Sequence, residues 1–341
     1  MTTADPTPRR LPFHQLVGLL REILVKSGVS QANAEILATN CATCERDGSH
    51  SHGLFRIPGY VSTLASGWVD GRAVPRVEDA GPSYVRIDAN NGFAQPALAA
   101  GRALLVEKVR QSGVAVAAIR NSHHFSALWP DLEPFACEGL VGLSFVTGIA
   151  CVIPLGGRKP VFGTNPLAFA TPVEGHEPLA FDFATSVMSN GDVRIAAQAG
   201  RRLPPNSGVN RDGVPTDDPA AILNGGALVP FGGHKGASII LMVEILASAL
   251  TGGQFSSEVD FSAHPGAETP RTGQLILLID PARGGNAAFS GRVASLLETV
   301  RGAGQQRLPG DRRYRVRRDV EAHGVPISEE QLARLQSYLD P

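Results

Sequence analysis

The chain has 341 residues, 43% hydrophobic and 18% charged, with a formal net charge of −1. That length supports a large core and more than one subdomain. The near-neutral balance supplies no basic face for nucleic acid, and no apolar run approaches the roughly 18–20 residues that span a bilayer.

The opening MTTADPTPRRLPF has no apolar h-region, so no signal peptide and a cytoplasmic location are expected. Over 13–29, Leu16, Leu19, Leu20, Ile23 and Leu24 recur at helical spacing. Ser30 is placed to cap a second helix running to about Cys44. On it, Ala34, Leu37, Cys41 and Cys44 share one face. Cys41 and Cys44 form a C-x-x-C, which in other settings is redox-active or binds zinc. A zinc site needs two more ligands, and Cys137 and Cys151 form no second pair. Two small apolar residues on a buried stripe is the simpler reading.

Residues 94–112 predict a helix, followed by a buried strand, VAVAAI (114–119). Further strands are predicted at 140–146, 167–171, 179–185 and 274–279. The apolar stretch 235–253 predicts a long helix closed by glycines. Residues 287–303 predict another helix, and Ser328 with Gln331 resembles a capping box opening a last one. The stretch 200–224 is rich in Pro, Gly, Asn and Asp and predicts a long loop. Strands mixed with helices indicate an α/β or α+β fold.

Five stretches carry candidate chemistry. In CERDGSHSHGLFRIPGY (44–60), His52 suits proton exchange near neutral pH. Ser51 offers it a hydroxyl partner, and Arg56 suits a two-pronged bond to a carboxylate. A polar loop of capping histidines is the plain alternative, and His50 with His52 also forms H-x-H, a weak metal pattern. NSHHFSALWP (121–130) reads as a polar turn at a strand end, where ligand contacts are common and hydrated turns equally so. In 162–172, Gly163, Thr164 and Asn165 are placed to show backbone amides to a ligand. Asp182 lies in an apolar strand and needs a partner if buried, while Asp192 falls in a turn from which it can orient a histidine. PFGGHKGAS (230–238) joins glycines, a lysine and a helix start, a plausible phosphate site, although such glycines also serve turns. The arginines of RLPGDRRYR (307–315) suit a phosphate or a solvated face. No G-x-G-x-x-G occurs: Gly302 and Gly304 begin one, but position 307 is arginine. Walker A, H-E-x-x-H and G-x-S-x-G are also missing.

Taken together, DGSHSHGLFRIPGY, NSHHF, FGTNPLAFATP, FDFATS and PFGGHKG resemble the malate/L-lactate dehydrogenase-like oxidoreductases, which are unrelated to Rossmann dehydrogenases. Their order covers about 10–315. Within that family, HHFSALWPDLEPFA, SNGDV, HPGAETPRTGQ and LPGDRRYR are most similar to members that reduce the cyclic imino acids Δ1-piperideine-2-carboxylate and Δ1-pyrroline-2-carboxylate. Arg271 departs from their pattern, where a tryptophan is expected.

The resemblance implies NADPH-dependent reduction to L-pipecolate or L-proline, a homodimer, and a non-Rossmann nucleotide-binding fold on a largely antiparallel sheet with helical N- and C-terminal parts. It implies three parts: a helical segment at 1–80 with the catalytic loop; a mixed substrate and dimerisation part at 81–120 and 230–341; and a cofactor-binding part at 121–229. Residue by residue, it implies Ser51, His52 and Asp192 as the proton relay, and Arg56 and Thr164 at the substrate. Cofactor contacts fall to His124, Phe125, Ser126, Ala127, Leu128, Asp182, Phe183, Ala184, His234, Lys235, Arg307, Arg312 and Arg313. No metal is implied. A 2-oxo-acid dehydrogenase of the malate or lactate type is the nearest rival, and Asp192 with SALWP favours the imine. A Ser51–His52–Asp192 hydrolase is the rival of another class, opposed by the adjacency of Ser and His and the missing nucleophile elbow.

Overall fold

The structure, a computed structural model, describes residues 9–285 and 288–340. Most of the stretch read for a leader, and residue 287 of an expected helix, lie outside the described residues. In chain order come β1 (Arg9–Leu11), α1 (Phe13–Lys26), α2 (Gln31–Arg46), α3 (Ile57–Ala65), β2 (Arg76–Asp79), β3 (Tyr84–Asp88), α4 (Ala94–Ser112), β4 (Val114–His123) and α5 (Trp129–Cys137). Next are β5 (Val141–Val146), β6 (Leu167–Thr171), β7 (Leu179–Phe183), α6 (Asn190–Gln198), β8 (Gly208–Val209), β9 (Pro215–Thr216), α7 (Pro219–Leu223) and β10 (Ala227–Leu228). The last are α8 (His234–Glu244), β11 (Arg271–Ile279), α9 (Phe289–Gly302), α10 (Asp311–His323), β12 (Val325–Ile327) and α11 (Glu329–Ser337).

Seven strands form the main sheet in the order β2-β3-β4-β11-β5-β6-β7. Only β3 and β4 pair in parallel; every other pairing in it is antiparallel. The expected antiparallel, non-Rossmann architecture is therefore observed. β4 and β11 lie near its centre because both are apolar on both faces, which suits burial from either side. Ile87, Leu105, Ile119, Leu132, Phe135 and Ile276 pack one face against α4 and α5. Ala118, Phe145, Val243 and Leu275 pack the other against α8. The bulge between Thr272 and Gln274 centres on Gly273, where a Cβ would lie 2.0 Å from the Ala247 carbonyl. That glycine lets the π-helical turn Ile245–Ala249, which extends α8, rest on the strand.

A second core joins α1, α2, α3 and α11, with Leu16, Leu20, Ile23, Leu37 and Ile57 fully buried. Ser30 caps α2 by accepting from the Asn33 amide, and Ser328 with Gln331 forms the expected box. Cys41 and Cys44 are buried free thiols, Cys41 in this core and Cys44 packed with Ala127 and Trp129. Among the described residues no helix is long and apolar enough to cross a membrane.

Three sequence readings need correction. The polar NSH segment is not a turn: β4 continues through His123, since Ser122 and His123 pair with Thr272 and Arg271 of β11. The ladder supplies their backbone hydrogen bonds and overrides side-chain polarity. Asp192 lies in the first turn of α6, which Ser189 caps, not in an open turn. The expected 200–224 loop contains the short β8, β9 and α7.

Candidate active site

The loop after α2 is two short 3-10 turns, His50–His52 and Leu54–Arg56. It is clamped from beneath by Glu45, buried in the last turn of α2. One carboxylate oxygen of Glu45 accepts from the Leu54 amide at 2.9 Å, and the other meets His50 Nδ1 at 2.6 Å. Gly53 permits this approach, since a Cβ there would lie 2.2 Å from Glu45 Oε2. Asp47, also buried, ties the same turn to α10 through Arg317, with Nη2 2.5 Å from Oδ2. The loop that presents His52 is thus rigid by construction.

Ser51 Oγ lies 3.0 Å from His52 Nδ1, leaving Nε2 as the free end of the ring. Burial holds the His52 imidazole well below the usual histidine range, and Arg56 and His124 push the same way. It is neutral at pH 7.

The Arg56 guanidinium lies over the Phe125 ring, 4.3 Å from its centroid. Its Nε is buried without a hydrogen-bond partner, and among the described residues no carboxylate pairs with it. Burial, reinforced by Arg194, lowers its pKa to about 10, so it is still charged near neutrality. Glu268 across the cavity acts on it electrostatically without bonding to it; a cation with no carboxylate bonded to it is costly, and its natural complement is an anionic ligand. Gly59 of α3 makes room for the ring beneath it: a Cβ there would sit 2.7 Å from Phe125 Cε1.

His123 and His124 part company at the end of β4. His123 turns into an aromatic cluster with Trp68 and Phe93. His124 lines a cavity of about 110 Å³ together with His52, Arg56, Phe125, Ser126 and Thr164. His124 Nε2 is held by Asp131 Oδ2 at 2.9 Å, and Gln274 Nε2 donates to that same oxygen at 2.8 Å. Ser126 Oγ is bonded to Asn40 of α2 at 2.5 Å. Ala127 and Leu128 are buried beside it. Thr164 stands in a turn pressed so closely on Gly148 that a Cβ at Gly163 would lie 2.7 Å from the Gly148 nitrogen.

The remaining expected residues lie at different distances from this cavity. Asp192 is exposed, and its carboxylate makes no hydrogen bond with Ser51 or His52. Its neighbour Gly191 makes the contact instead: a Cβ there would lie 3.3 Å from Arg56 Nη2 and 3.5 Å from Ser51 Cβ. Asp182 accepts from the Leu128 amide at 2.7 Å, fixing the start of α5, and burial raises its pKa. Phe183 is exposed and Ala184 half-buried just beyond it. His234 and Lys235 are exposed at the start of α8. The arginine cluster divides. Arg307 and Arg312 line a second cavity of about 600 Å³ between α9 and α10, whereas Arg313 lies over the Trp129 ring at 4.0 Å and donates to the Ala180 carbonyl. Arg312 is near enough to act electrostatically on His50, so this cluster borders the loop that carries His52.

Sequence reasoning missed the two other charged residues of the first cavity, Arg194 and Glu268. A signal existed for one: Asn190, Gly191 and Arg194 fall on one helical face once 190–198 is read as a helix. Glu268 sits in an irregular segment and carried none.

Residues 11–336 match the family described as malate/L-lactate dehydrogenase. A Delta(1)-pyrroline-2-carboxylate/Delta(1)-piperideine-2-carboxylate reductase of Pseudomonas syringae pv. tomato is 59% identical over 333 residues, covering 98% of this chain and 97% of that protein. A reductase of the same description from Pseudomonas putida is 58% identical, with 97% of each covered. The crystal structure of delta1-piperideine-2-carboxylate reductase from Pseudomonas syringae pvar. tomato superposes with a TM-score of 0.95 at 59% identity, over 97% of this chain and 99% of that one.

Proposed function

Because the chain belongs to the malate/L-lactate dehydrogenase family, we propose that it reduces cyclic imino acids, Δ1-piperideine-2-carboxylate to L-pipecolate and Δ1-pyrroline-2-carboxylate to L-proline, with NADPH. The observation that carries this reading is Arg56, a charged guanidinium with no carboxylate bonded to it and an unpartnered Nε, in the cavity that holds His52. Two relatives near 60% identity are described as reductases of these same imino acids, which favours C=N over the C=O of a 2-oxo-acid dehydrogenase. The hydrolase reading loses its third member, since the Asp192 carboxylate does not bond to His52.

The residues fit a phosphorylated dinucleotide. The exposed guanidiniums of Arg307 and Arg312 suit a phosphate dianion, and His234 and Lys235 stand at a helix N-terminus. We assign this contact to residues 121–229 together with those four. The reduced nicotinamide, when bound, supplies a hydride to the imine carbon.

The chain's own residues do the rest. Arg56 grips the carboxylate and so fixes the orientation of the ring. His52 manages the proton of the imine nitrogen, with Ser51 holding its Nδ1. A neutral imidazole cannot donate, but the electrostatics change on binding. Arg56 is one of the groups that holds His52 neutral, and a carboxylate on Arg56 cancels that influence. Substrate binding therefore removes one of the influences that disfavour a proton on His52, while burial, the larger one, remains. Outside the site, Leu241, Met242, Ile245 and Leu250 are exposed apolar residues on α8 and the turn that follows it, which supports the homodimer implied by the resemblance.

The test is loss of reduced-nicotinamide absorbance with a panel of cyclic imines and 2-oxo acids. Cyclic imino acids should be the preferred substrates by kcat/KM; preference for 2-oxo acids overturns the reading. For the cofactor, Arg312→Ala is the clean variant, since Arg313 also packs on Trp129. It should raise the NADPH KM about tenfold and leave NADH use unchanged. Equal losses with both would remove Arg312 from the 2′-phosphate.

A further inference from the structure

The cavity that holds His52 and Arg56 contains a second guanidinium that the proposed reaction does not use. Asn190, Gly191 and Arg194 line one wall, all on the same face of α6. Arg194 is not free as Arg56 is. Its Nη1 donates to Glu268 Oε2 at 2.7 Å, and Glu268 lines the same cavity. The Glu268 position is set by α3: its amide donates to Thr63 Oγ1 at 2.9 Å, and a Cβ on Gly59 would lie 3.5 Å from its carboxyl carbon.

The pair is a weak stabiliser of the fold. Both side chains keep more than a third of their surface exposed, and such ion pairs contribute little. Its consequence for a ligand is larger. Two free guanidiniums would recruit a substrate with two acid groups. With Arg194 satisfied by Glu268, the cavity offers one unpaired cation, Arg56, and places a fixed carboxylate where a second acid group would have to sit. Discrimination of this kind needs the repulsive element as well as the attractive one.

We propose that Glu268, by occupying Arg194, restricts this site to substrates with a single carboxylate and rejects dicarboxylates. The inference rests on the function proposed above and names its substrate class more closely. Glu268 acts through Arg194 and through its own charge; the imine proton is handled by His52 and the substrate carboxylate by Arg56.

The test uses Glu268→Gln, which keeps the shape of the side chain and removes its charge. Butyrate and succinate, of the same chain length and differing by one carboxylate, are titrated by calorimetry into the enzyme saturated with NADPH. Wild type should bind butyrate in preference to succinate. The variant should shift the preference toward succinate on the order of tenfold, the effect of a charge-assisted hydrogen bond discounted for half-exposed partners, with butyrate affinity gaining less than succinate affinity. Adding Arg194→Gln should abolish the gain. An unchanged succinate-to-butyrate ratio overturns the inference, as does a gain that survives loss of Arg194, or parallel weakening of both acids. Calorimetry does not depend on turnover, so a wild type inactive on cyclic imines counts against the proposed reaction while the ratio still decides the role of Glu268.

Discussion

At the scale of single residues, the site is organised by one uncompensated charge. Arg56 is held over an aromatic ring, has no carboxylate bonded to it and adds to the burial that keeps its neighbour His52 neutral. This coupling has a measurable consequence. A carboxylate ligand that neutralises Arg56 should draw a proton onto His52. Picolinate, a flat ring with a 2-carboxylate, should bind with net proton uptake near pH 7, read as a calorimetric enthalpy that changes with the ionisation heat of the buffer. In His52→Ala the uptake should vanish while binding persists. In Arg56→Lys it should weaken together with affinity, because an ammonium cannot present the planar fork. Loss of one charge-assisted hydrogen bond costs about 1.5–3 kcal/mol of binding. Uptake that survives His52→Ala would assign the proton to another group.

At the scale of elements, much was legible and the gaps have physical reasons. Stripes such as Leu16, Leu20 and Ile23 announced α1, and unbroken apolar runs announced β5 and β11, because burial of one or both faces is written directly into spacing. Five helices, α3, α5, α6, α7 and α10, were not legible, and three of them show why. α5 opens on Trp129-Pro130 and contains Pro134, residues that signal breaks, yet Pro130 stands at the helix start, where its missing N–H costs nothing. α6 begins Asn190-Gly191-Asp192, a turn signature overridden by the Ser189 cap. α10 is mostly charged and buries only Tyr314 and Val320, so periodicity is faint. In the cavity, His52 and Arg56 were legible as candidates because proton transfer and carboxylate binding would need such side chains. The clamp beneath them was not, because a buried Glu45 on α2 looks like any helical glutamate until the loop folds onto it. The clamp separates into two bonds. Glu45→Gln can still accept from the Leu54 amide but loses its ionic bond to His50. Glu45→Ala loses both and leaves a buried amide unpaired, which costs about 1–3 kcal/mol. Glu45 raises the His50 pKa by its hydrogen bond, against the effect of burial and Arg312. The His50 contribution is therefore present below about 6.5 and is lost as pH rises through the raised value. Glu45→Gln should be less stable than wild type at pH 6 and approach it at pH 9, whereas Glu45→Ala should be impaired at both. Denaturant midpoints at the two pH values check this, and a pH-independent deficit in Glu45→Gln would remove His50 from the clamp.

At the scale of the whole molecule, the helical N-terminal core and the seven-stranded sheet meet at His123. The residue ends β4, and its ring is fully buried against Trp68 and Phe93. Its Nδ1 lies 3.0 Å from Thr269 Oγ1 and 3.3 Å from the Thr269 carbonyl oxygen, and its Nε2 lies 3.2 Å from Asn91 Oδ1. Burial drives its pKa down to about 3. The sign of the linkage follows. Below about 6.5 the unfolded chain binds a proton that the native ring refuses, so native stability falls as pH falls until the native value is reached. The slope for one such group is about 1.4 kcal/mol per pH unit. His52 acts in the same direction, and comparison with a variant that keeps His52 cancels it. His123→Gln retains a polar side chain at the junction and removes the titration. At pH 7 wild type should be the more stable protein. Between pH 7 and pH 5 its advantage should shrink by about 2 kcal/mol, measured as the difference in unfolding free energy from urea titrations at the two pH values. If the two proteins lose stability in parallel over that range, the acid sensitivity of the fold does not arise at this junction, and the neutral ring between helices and sheet is not what joins them.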